Sequence, residues 1–464
     1  MRAAARPTFR GFPALLAPWR SSRPCHAMTP VGRCPDEPIA GLRARFRGAS
    51  MSLRVLVVQP AFSANAYITH AHSQGWDVVV ASYEREGRVI ADAVRDLTTE
   101  IIVADTNDNA SLEAAVLESH ERHPIHAVVA GGEYYVPGAA HLSARLGLPA
   151  LTPVAVDQVR HKGKMRQAVA DAGLDVPRWV VVSTPAALEE ACAQVGFPVV
   201  IKPVDSGGSV HVSRVDTVEE ARTALAAMHA EEGLEFDRPL THDAIIEQYV
   251  PGTEYSADGY VRDGAAVVVA VTRKLLGPEP RFLELGHLTP APLDEATRQE
   301  LASYATDVVR AVGITTGPFH CELRLSEGRP VLMEIAARLP GDKITELMEM
   351  ATGLMLPGKV LADITGADPE RSGAHREPVA KAAGIRFLTA AGVGSYARLE
   401  GWDELAAEPW VVASHVLVRP GAGIKTDEAD YSCRIAAVVF TADSPDEAHE
   451  RWSEIGERVR VLSV

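Results

Sequence analysis

Short apolar runs alternate with polar, helix-like stretches in the region that follows residue 50. Arg54 to Gln59 is almost wholly apolar, which is typical of a strand in a parallel sheet that is covered on both faces. Further apolar runs follow at Asp77 to Ala81, Ile101 to Ala104 and Ala127 to Ala130. Because strands that alternate with helical stretches indicate βαβ units, residues 52–150 are predicted to form an open α/β domain.

A Gly-Gly pair, Gly131 and Gly132, ends the fourth of these runs and directly precedes Glu133. Ligands of open α/β sheets usually bind beyond the carboxyl ends of the strands. The segment lacks the GxGxxG pattern of dinucleotide-binding proteins, so ordinary turn chemistry is the preferred interpretation.

The pattern becomes mixed after a Pro-containing linker near residues 148–153. A helix is predicted from Asp157 to Ala172, ending at Gly173. Short strand-like and helical runs then alternate, so residues 151–368 are predicted to form an α+β domain.

The C-terminal segment, residues 369–464, is predicted to be a small α+β domain. It contains strand-like runs at Val411 to Val418 and Arg434 to Phe440. A helix start follows at Ser444, where an N-cap residue precedes Pro and two acidic residues.

Two apolar runs of the central region are joined by a short Gly-containing loop, which predicts a β-hairpin. Each run carries one carboxylate, Glu322 in the first and Glu334 in the second. If the loop consists of residues 327–329, the register places Glu322 directly opposite Glu334 on one face. The side chains expected on the other, buried face are those of Cys321, Leu323, Val331, Met333 and Ile335.

Opposed carboxylates destabilise a strand pair unless something positive lies between them. Mg²⁺ is a suitable cation, since it binds through one or two carboxylates together with phosphate oxygens. The alternative is a solvated pair on an exposed sheet face. This motif by itself does not decide between the two.

A strand that ends in Lys202 is followed by a loop of small residues, Ser206, Gly207, Gly208 and Ser209. Backbone N–H groups of such loops can form a concave anion site, and a lysine at the base supplies charge to a phosphate. No Gly-Lys-Ser/Thr opens a helix here, so this is not a P-loop. An ordinary hairpin loop is the alternative.

A further strand, Ala244 to Val250, leads through Pro251-Gly252 to Glu254. Free backbone groups at the end of a strand can hydrogen-bond an adenine edge, and a carboxylate such as Glu254 suits ribose hydroxyls. This pattern alone does not establish a nucleotide-binding site.

Composition and charge narrow the class of protein. The chain has 464 residues, of which 47% are hydrophobic and 23% charged, and these are ordinary globular values. No apolar run approaches the ~20 residues of a membrane-spanning helix. Its five cysteines lack metal-ligand spacing, which favours a reducing, cytoplasmic location.

The first fifty residues differ from the rest of the chain. They hold nine Arg, no Lys and only two acidic residues, so their net charge is +7, and the total of −15 leaves −22 for residues 51–464. The acidic body makes nucleic acid an unexpected partner. The leader, residues 1–51, is expected to be disordered, either as a transit-type segment or, preferably, as an over-extended start ahead of Met51.

Taken in order, these elements resemble the ATP-grasp superfamily of carboxylate–amine ligases over residues 52–464. The motifs that carry the resemblance are Arg160-His-Lys162, Ile201-Lys202-Pro with its Gly-rich loop, Glu247-Gln-Tyr-Val-Pro-Gly-Thr-Glu254, and the Glu322/Glu334 hairpin. The resemblance implies an ATP-grasp fold, in which an open α/β domain precedes two α+β subdomains that clamp ATP. The lid subdomain is expected at about 178–250, and a small C-terminal α+β domain follows.

The resemblance also implies roles for single residues. Lys162 and Lys202 would contact the phosphates, and residues 206–209 would form a mobile loop over them. Glu322 and Glu334 would hold Mg²⁺, with Mn²⁺ as an alternative. The residues implied for the nucleotide's adenine and ribose are Glu247, Tyr249, Val250 and Glu254.

A subgroup of this superfamily, the L-amino-acid ligases that make dipeptides, is similar in further positions. Many superfamily members carry Asn two residues after the second Glu, whereas Ala336 stands here, which puts a second metal in doubt. Ala336, Arg338 and the Glu284-x-x-His287 segment resemble the L-amino-acid ligases. Glu284 would then recognise an ammonium group, His287 would hydrogen-bond the reaction centre, and Arg338 would stabilise the developing oxyanion.

The expected reaction activates an amino acid carboxylate as an acyl phosphate, which an amine, foremost that of another amino acid, attacks to give an amide, ADP and phosphate. Alternatives are a ligase for a non-amino-acid carboxylate or a polyamine acceptor, and a non-catalytic nucleotide-binding regulator. The expected partners are ATP and small amino acids or amines, with no nucleic acid or membrane, and the resemblance leaves a homodimer open. Asp342 is expected to cap the helix that begins near Lys343, or else to favour a polar or basic amine partner.

Overall fold

The computed structural model describes residues 52–85, 88–230, 234–239, 241–280, 282–368, 372–390, 394–423 and 431–463. The leader, residues 1–51, for which disorder is the sequence-based expectation, lies outside these residues. Within them, no helix is long and apolar enough to cross a membrane.

A four-stranded parallel sheet with flanking helices forms the N-terminal unit, which confirms the predicted α/β pattern. The strand order is β3-β2-β1-β4, and every residue of β1 is buried, as the apolar run predicts. Its elements are β1 (Arg54–Val58), α1 (Asn65–Ser73), β2 (Asp77–Ser82), α2 (Asp92–Arg95), β3 (Glu100–Val103), α3 (Asn109–Arg122), β4 (Ala127–Ala130) and α4 (Val136–Arg145).

The helix predicted from Asp157 to Ala172 is wrong in its extent, because two helices occupy this region, α5 (Pro153–Arg160) and α6 (Lys162–Asp171). His161 between them is extended, and its Nδ1 accepts a hydrogen bond from the backbone N–H of Lys164, which caps α6. The backbone N–H of Lys162 donates to the carbonyl oxygen of Val204 at 2.8 Å. This break therefore sets Lys162 against the loop that follows the Lys202 strand.

The next unit is a four-stranded antiparallel sheet, of order β5-β10-β6-β7, with two helices and a small hairpin. The strand that ends near Lys202 and the strand that carries Glu247 are neighbours in this sheet. Its elements are β5 (Trp179–Val182), α7 (Leu188–Val195), β6 (Val199–Pro203), β7 (Ser213–Val215), α8 (Val218–Ala230), the hairpin β8 (Leu234–Glu235) with β9 (Arg238–Pro239), and β10 (Ala244–Gln248).

An eight-stranded antiparallel sheet runs through the rest of the chain. Its order is β15-β14-β11-β12-β13-β16-β19-β18, so the C-terminal strands continue the central sheet through the pairing of β13 with β16. The strands are β11 (Thr253–Arg262), β12 (Ala265–Leu276), β13 (Glu284–Thr289), β14 (Gly317–Ser326), β15 (Arg329–Ala336), β16 (Ala382–Thr389), β18 (Val411–Val416) and β19 (Arg434–Ala442), and β17 (Tyr396–Glu400) pairs separately with β20 (Arg460–Ser463).

Helices cover this sheet, and the main core lies beneath α9. Helix α13 begins after Ser444, whose hydroxyl accepts from the backbone N–H of Glu447, as predicted. The core includes Leu301, Phe319 and the predicted Cys321. The helices are α9 (Glu295–Ala311), α10 (Ile344–Thr352), α11 (Leu356–Thr365), α12 (Trp402–Ala406) and α13 (Pro445–Arg458).

The hairpin of β14 and β15 places Glu322 opposite Glu334, as predicted, but by a different route. The loop is shorter than expected, with only Glu327 and Gly328 at φ 50° and 77° between the paired residues Ser326 and Arg329. A β-bulge then adds one residue to β15, which restores the pairing of the two carboxylates. The bulge also changes the buried face, where Leu332 is buried in place of the predicted Val331 and Met333, which are half-buried.

An open α/β unit, α+β units and a C-terminal α+β part thus follow one another in the order predicted from the sequence. The predicted domain boundaries, at residues 150 and 368, stay predictions.

Candidate functional site

Lys202 and Glu247 form a buried ion pair on neighbouring strands. The Nζ of Lys202 lies 2.7 Å from Oε2 of Glu247, and Nε of Arg166 donates to Oε1 of Glu247, also at 2.7 Å. Burial alone would raise the pKa of Glu247, but the two cations outweigh it and lower the pKa to about 2. Glu247 is therefore an anion that fixes Lys202 at the base of the small-residue loop.

Lys162, the first residue of α6, joins the loop to the hairpin. Its Nζ donates to the carbonyl oxygen of Ser206 at 2.6 Å and lies 3.2 Å from Oε1 of Glu334. The side chain is almost fully buried, so its charge acts in a poorly solvated place. Lys162 thus contacts the loop that follows the strand of Lys202, the other predicted phosphate lysine.

The loop itself contains backbone conformations that favour glycine. Gly208 has φ 67° and Ser209 has φ 59°. The backbone N–H of Gly207 donates to the hydroxyl oxygen of Tyr134, 3.0 Å away, in the N-terminal unit. The loop is therefore held against that unit.

Lys274 of β12 lies at the centre of the site, and the sequence reasoning missed it. Its Nζ lies 2.9 Å from one carboxylate oxygen each of Glu254, Glu284 and Glu322. Burial lowers the pKa of Lys274, but the three carboxylates more than compensate and raise it. The residues predicted for ribose, ammonium and metal thus surround one ammonium group.

The two hairpin carboxylates have different neighbours. Oε1 of Glu322 lies 2.9 Å from Nε2 of His320, whose Nδ1 lies 2.5 Å from Oδ1 of Asp258. Burial lowers the pKa of His320, yet Asp258 and Glu322 raise it to about 9. Burial raises the pKa of Glu322, but Lys274 and His320 hold it below its ordinary range.

These residues fit a hard divalent cation. Both hairpin residues offer carboxylate oxygens on one face, and neighbouring cations keep Glu322 ionised. Two carboxylates alone leave most of an octahedral shell to water and phosphate oxygens, which is the usual mode for Mg²⁺. Ala336, two residues after Glu334, offers no side-chain ligand.

Arg338 follows the hairpin and reaches the N-terminal unit. Its Nε donates to Oε2 of Glu133 at 2.7 Å, while Nη1 of Arg160 donates to Oε1 at 2.6 Å. Burial raises the pKa of Glu133, but Arg338 and Arg160 together lower it to about 2. The Gly131–Gly132 turn is thus more than a connection, because it presents Glu133 to Arg338.

Glu284 and His287 lie on β13 beside Lys274. Nε2 of His287 is 3.4 Å from Oε2 of Glu284 and 3.2 Å from Oδ2 of Asp342. His287 is fully buried, so Glu284 and His287 do not form an exposed surface pair. Nor does Asp342 cap the following helix, which has Lys343 as its N-cap without a side-chain bond. Arg434 of the C-terminal strands pairs with Asp342.

Among the described residues, only Glu284, His287 and Asp342 bring three potential metal ligands together. Arg434 already pairs with Asp342. Burial lowers the pKa of His287, but the two carboxylates raise it above its ordinary value, which favours an imidazolium over a metal ligand. This group is better described as an ion-paired cluster.

The residues predicted for adenine and ribose spread along one edge of the site. The hydroxyl of Tyr249 donates to Glu279, at the outer end of β10. Arg324 donates from Nη1 to the carbonyl oxygen of Val250 at 2.7 Å and from Nε to Glu254 at 3.0 Å. Glu247 is buried, whereas Tyr249, just beyond the end of the strand, is half-buried.

The charged residues that were predicted for the site all take part in ion pairs in the structure. Residues that sequence reasoning missed complete the pairing, namely Glu133, Arg166, Lys274, Arg324 and Arg434. A charged residue within an apolar strand run, as at Lys274 and Arg324, was the one available signal for a site member. Side chains that pair with one another in this way can instead pair with the phosphate, carboxylate or ammonium groups of ligands.

Comparison with known proteins assigns three stretches of the chain. Residues 195–346 match the ATP-grasp domain, residues 68–150 the ATP-grasp N-terminal domain, and residues 386–462 the L-amino acid ligase C-terminal domain 2.

The chain is also similar to individual ligases. The chain is 25% identical over 256 residues to an alanine–anticapsin ligase of Bacillus subtilis, covering 51% of this chain and 53% of that protein. It is 31% identical over 217 residues to a D-alanine–D-alanine ligase of Gloeobacter violaceus, covering 44% of this chain and 67% of that protein. The chain thus spans about half the length of the alanine–anticapsin ligase.

A solved structure shares the whole architecture. The L-amino acid ligase of Bacillus licheniformis superposes with a TM-score of 0.73 at 22% identity, covering 90% of this chain and 100% of that chain. At this identity the likeness is one of fold.

Proposed function

Because this chain belongs to the ATP-grasp family of ligases, we propose that it joins the carboxylate of one amino acid to the amine of another, with cleavage of ATP to ADP and phosphate. The match of residues 386–462 to an L-amino acid ligase domain supports amino acids as the substrates. The likeness to an alanine–anticapsin ligase supports an amide as the product.

One observation carries the proposal. The ammonium group of Lys274 lies 2.9 Å from carboxylates assigned to three different functions, ribose, ammonium and metal binding. A nucleotide and an amino acid held by these carboxylates would be neighbours. An acyl donor beside the γ-phosphate is what phosphoryl transfer to a carboxylate requires.

The first step forms an acyl phosphate. A carboxylate oxygen of the donor attacks the γ-phosphorus, an O–P bond forms, and the bond to the ADP oxygen breaks. Lys162, which contacts the loop at Ser206, and Lys202, on the strand that leads into the loop, neutralise the phosphate charge. When bound to Glu322 and Glu334, Mg²⁺ supplies further neutralisation of the phosphates.

In the second step, the acceptor amine attacks the acyl carbon. A C–N bond forms, the C–O bond to phosphate breaks, and the amine loses a proton. The guanidinium of Arg338, which Glu133 holds by its Nε, is permanently charged and stabilises the tetrahedral oxyanion.

Glu284 recognises the ammonium group of the donor. Burial raises the pKa of Glu284, but Lys274 and His287 hold it well below its ordinary value, so that the carboxylate stays charged. His287, beside Glu284, hydrogen-bonds the reaction centre. The loop of residues 206–209 covers the acyl phosphate, which water would otherwise hydrolyse.

The proposal is tested by a screen for phosphate release. Pairs of amino acids and amines are incubated with ATP and Mg²⁺, and products are identified by mass. We expect release that depends on both substrates and a product mass equal to their sum less one water. ATP cleavage that no amino acid stimulates would overturn the proposal, as would activation of a donor that lacks its amine while the parent amino acid is ignored.

The acyl phosphate has its own test. With a donor whose carboxylate carries ¹⁸O, one labelled oxygen should appear in the released phosphate, because the attacking oxygen leaves with phosphorus. Unlabelled phosphate would exclude this intermediate.

A further inference from the structure

Arg434, the first residue of β19, connects the C-terminal strands to the site. Its Nη1 donates to Oδ1 of Asp342 at 2.8 Å, and its Nη2 lies 2.8 Å from Oδ2 of the same carboxylate. Nη2 also donates to the backbone carbonyl of Glu284 at 2.9 Å. The guanidinium lies 3.7 Å from the centre of the Phe387 ring. With 5% of its surface exposed, Arg434 is fixed by a carboxylate, a carbonyl and an aromatic ring.

The partners of Arg434 are also the partners of His287. The Nε2 atom of His287 lies 3.2 Å from the Asp342 carboxylate oxygen that Arg434 contacts. The imidazole packs edge-to-face on Phe387 with a centroid distance of 6.4 Å. The orientation of His287 thus depends on groups that Arg434 holds in place.

The backbone at Asp342 needs such support. Asp342 and Lys343 adopt φ 49° and 62°, so two successive residues other than glycine occupy the left-handed region. Such conformations persist where the surroundings hold them, and they concentrate at functional sites. The side chain of Asp342 does not cap α10; it is engaged instead by its paired contacts with Arg434 and by His287.

We propose that Arg434 is a positioning residue through which the C-terminal strands fix the amino-acid subsite. It orients the Asp342–His287 pair and the backbone that bears Glu284. Its own terminal nitrogens are occupied by protein oxygens, so it acts through these residues and does not bind substrate. This inference rests on the proposed function, in which Glu284 and His287 bind the donor amino acid.

The inference predicts a selective defect. In Arg434→Gln, the bidentate pairing is lost, and the KM for the donor amino acid should rise by about tenfold or more, while the KM for ATP stays within about twofold. Arg434→Lys keeps the charge without the planar fork and should show a smaller rise. Should the Gln variant fail to fold, the Lys variant carries the same comparison.

Two further variants sharpen the test. Arg386→Gln is the matched control, because Arg386 on β16 likewise stacks on an aromatic ring, that of Trp452 at 3.8 Å, and donates to the carbonyl of Trp452. It should leave the KM for the donor near the wild-type value. Asp342→Asn should raise that KM as Arg434→Gln does, and the double variant should be no worse than the more affected single variant.

The outcomes separate this inference from the proposed function. Absence of amino-acid-dependent turnover in the wild type overturns the proposed function and this inference with it. If the wild type turns over, an unchanged donor KM in Arg434→Gln overturns the inference alone. Equal rises in the KM for ATP and for the donor, or full additivity of the Asp342 and Arg434 effects, would also overturn it.

Discussion

Lys274 shows how single buried charges organise this site. An isolated buried ammonium loses its hydration, whereas three carboxylates at 2.9 Å keep Lys274 charged. The same group keeps Glu284 and Glu322 ionised. One side chain thus maintains the charge of several groups that ligands would use.

Lys274→Met should remove that compensation. We expect a loss of stability of about 3–5 kcal/mol, since buried carboxylates would be left without their partner. We also expect loss of substrate-dependent phosphate release. Urea unfolding and phosphate assays measure the two effects.

Lys359→Met is the matched control for this prediction. Lys359 is also a buried lysine, and both oxygens of Asp363 lie 2.5 Å from its Nζ, on α11 away from the site. It should lose stability but, where folded, keep turnover. Equal retention of turnover in both variants would contradict the central role of Lys274.

The sequence predicted those residues of the site that stand in recognisable motifs, such as Lys202, Glu322 and Glu334. It did not predict Glu133 or Arg434, because each contacts site residues far away in the chain. The Gly-Gly turn before Glu133 is equally compatible with ordinary turn chemistry, and no local pattern marks Arg434. Only the folded arrangement brings Glu133 to Arg338 and Arg434 to Asp342.

At the scale of elements, the β14–β15 hairpin carries the two opposed carboxylates and a bulge. The alternation of apolar residues predicted the hairpin and the pairing. It did not predict the bulge, because loop length and bulge together set the register, and Glu327-Gly328 is compatible with loops of two or three residues. The bulged Met333 offers its carbonyl to Nη2 of Arg166 at 2.5 Å, which ties the hairpin to Glu247.

Glu334→Gln tests the hairpin as a cation site. The substitution keeps the shape and removes one anionic ligand, so Mg²⁺-dependent ADP formation should fall by roughly 100-fold or more. The measurement is ADP formation over a range of Mg²⁺ concentrations.

Glu327→Gln, at the exposed turn of the same hairpin, should behave as the wild type. If Glu334→Gln forms ADP at an undiminished rate, Glu334 is not a metal ligand.

At the scale of the whole molecule, the small β8–β9 hairpin docks on the N-terminal unit. Nε of Arg88 donates to Oδ2 of Asp237 at 2.8 Å, and Nδ2 of Asn107 donates to the carbonyl oxygen of Phe236 at 2.9 Å. Tyr134 packs on Phe236 and accepts from the N–H of Gly207. The contacts that dock the hairpin therefore also hold the loop that would cover the phosphates.

Asp237→Asn should weaken this docking by about 1–2 kcal/mol, because a charge-assisted bond becomes a neutral one. The undocked population, and with it cleavage by a glutamyl endopeptidase after Glu235, should rise by roughly fivefold or more. Timed proteolysis with and without an ATP analogue measures this.

Asp216→Asn, which alters an exposed ion pair with Arg214 on the same subdomain, is the control and should leave cleavage unchanged. Equal cleavage rates in the two variants would show that the Arg88–Asp237 pair does not hold the hairpin.

The continuous eight-stranded sheet has a consequence for how such a protein can be rearranged. The pairing of β13 with β16 means that the C-terminal strands do not form an independent unit joined only by a linker. A truncation before residue 382 would remove β16, the neighbour of β13. The strand β13, which bears His287, would then be an exposed sheet edge that can pair with other chains. Chimeras that exchange this terminal part between homologues must therefore transfer a matching strand edge as well as a sequence.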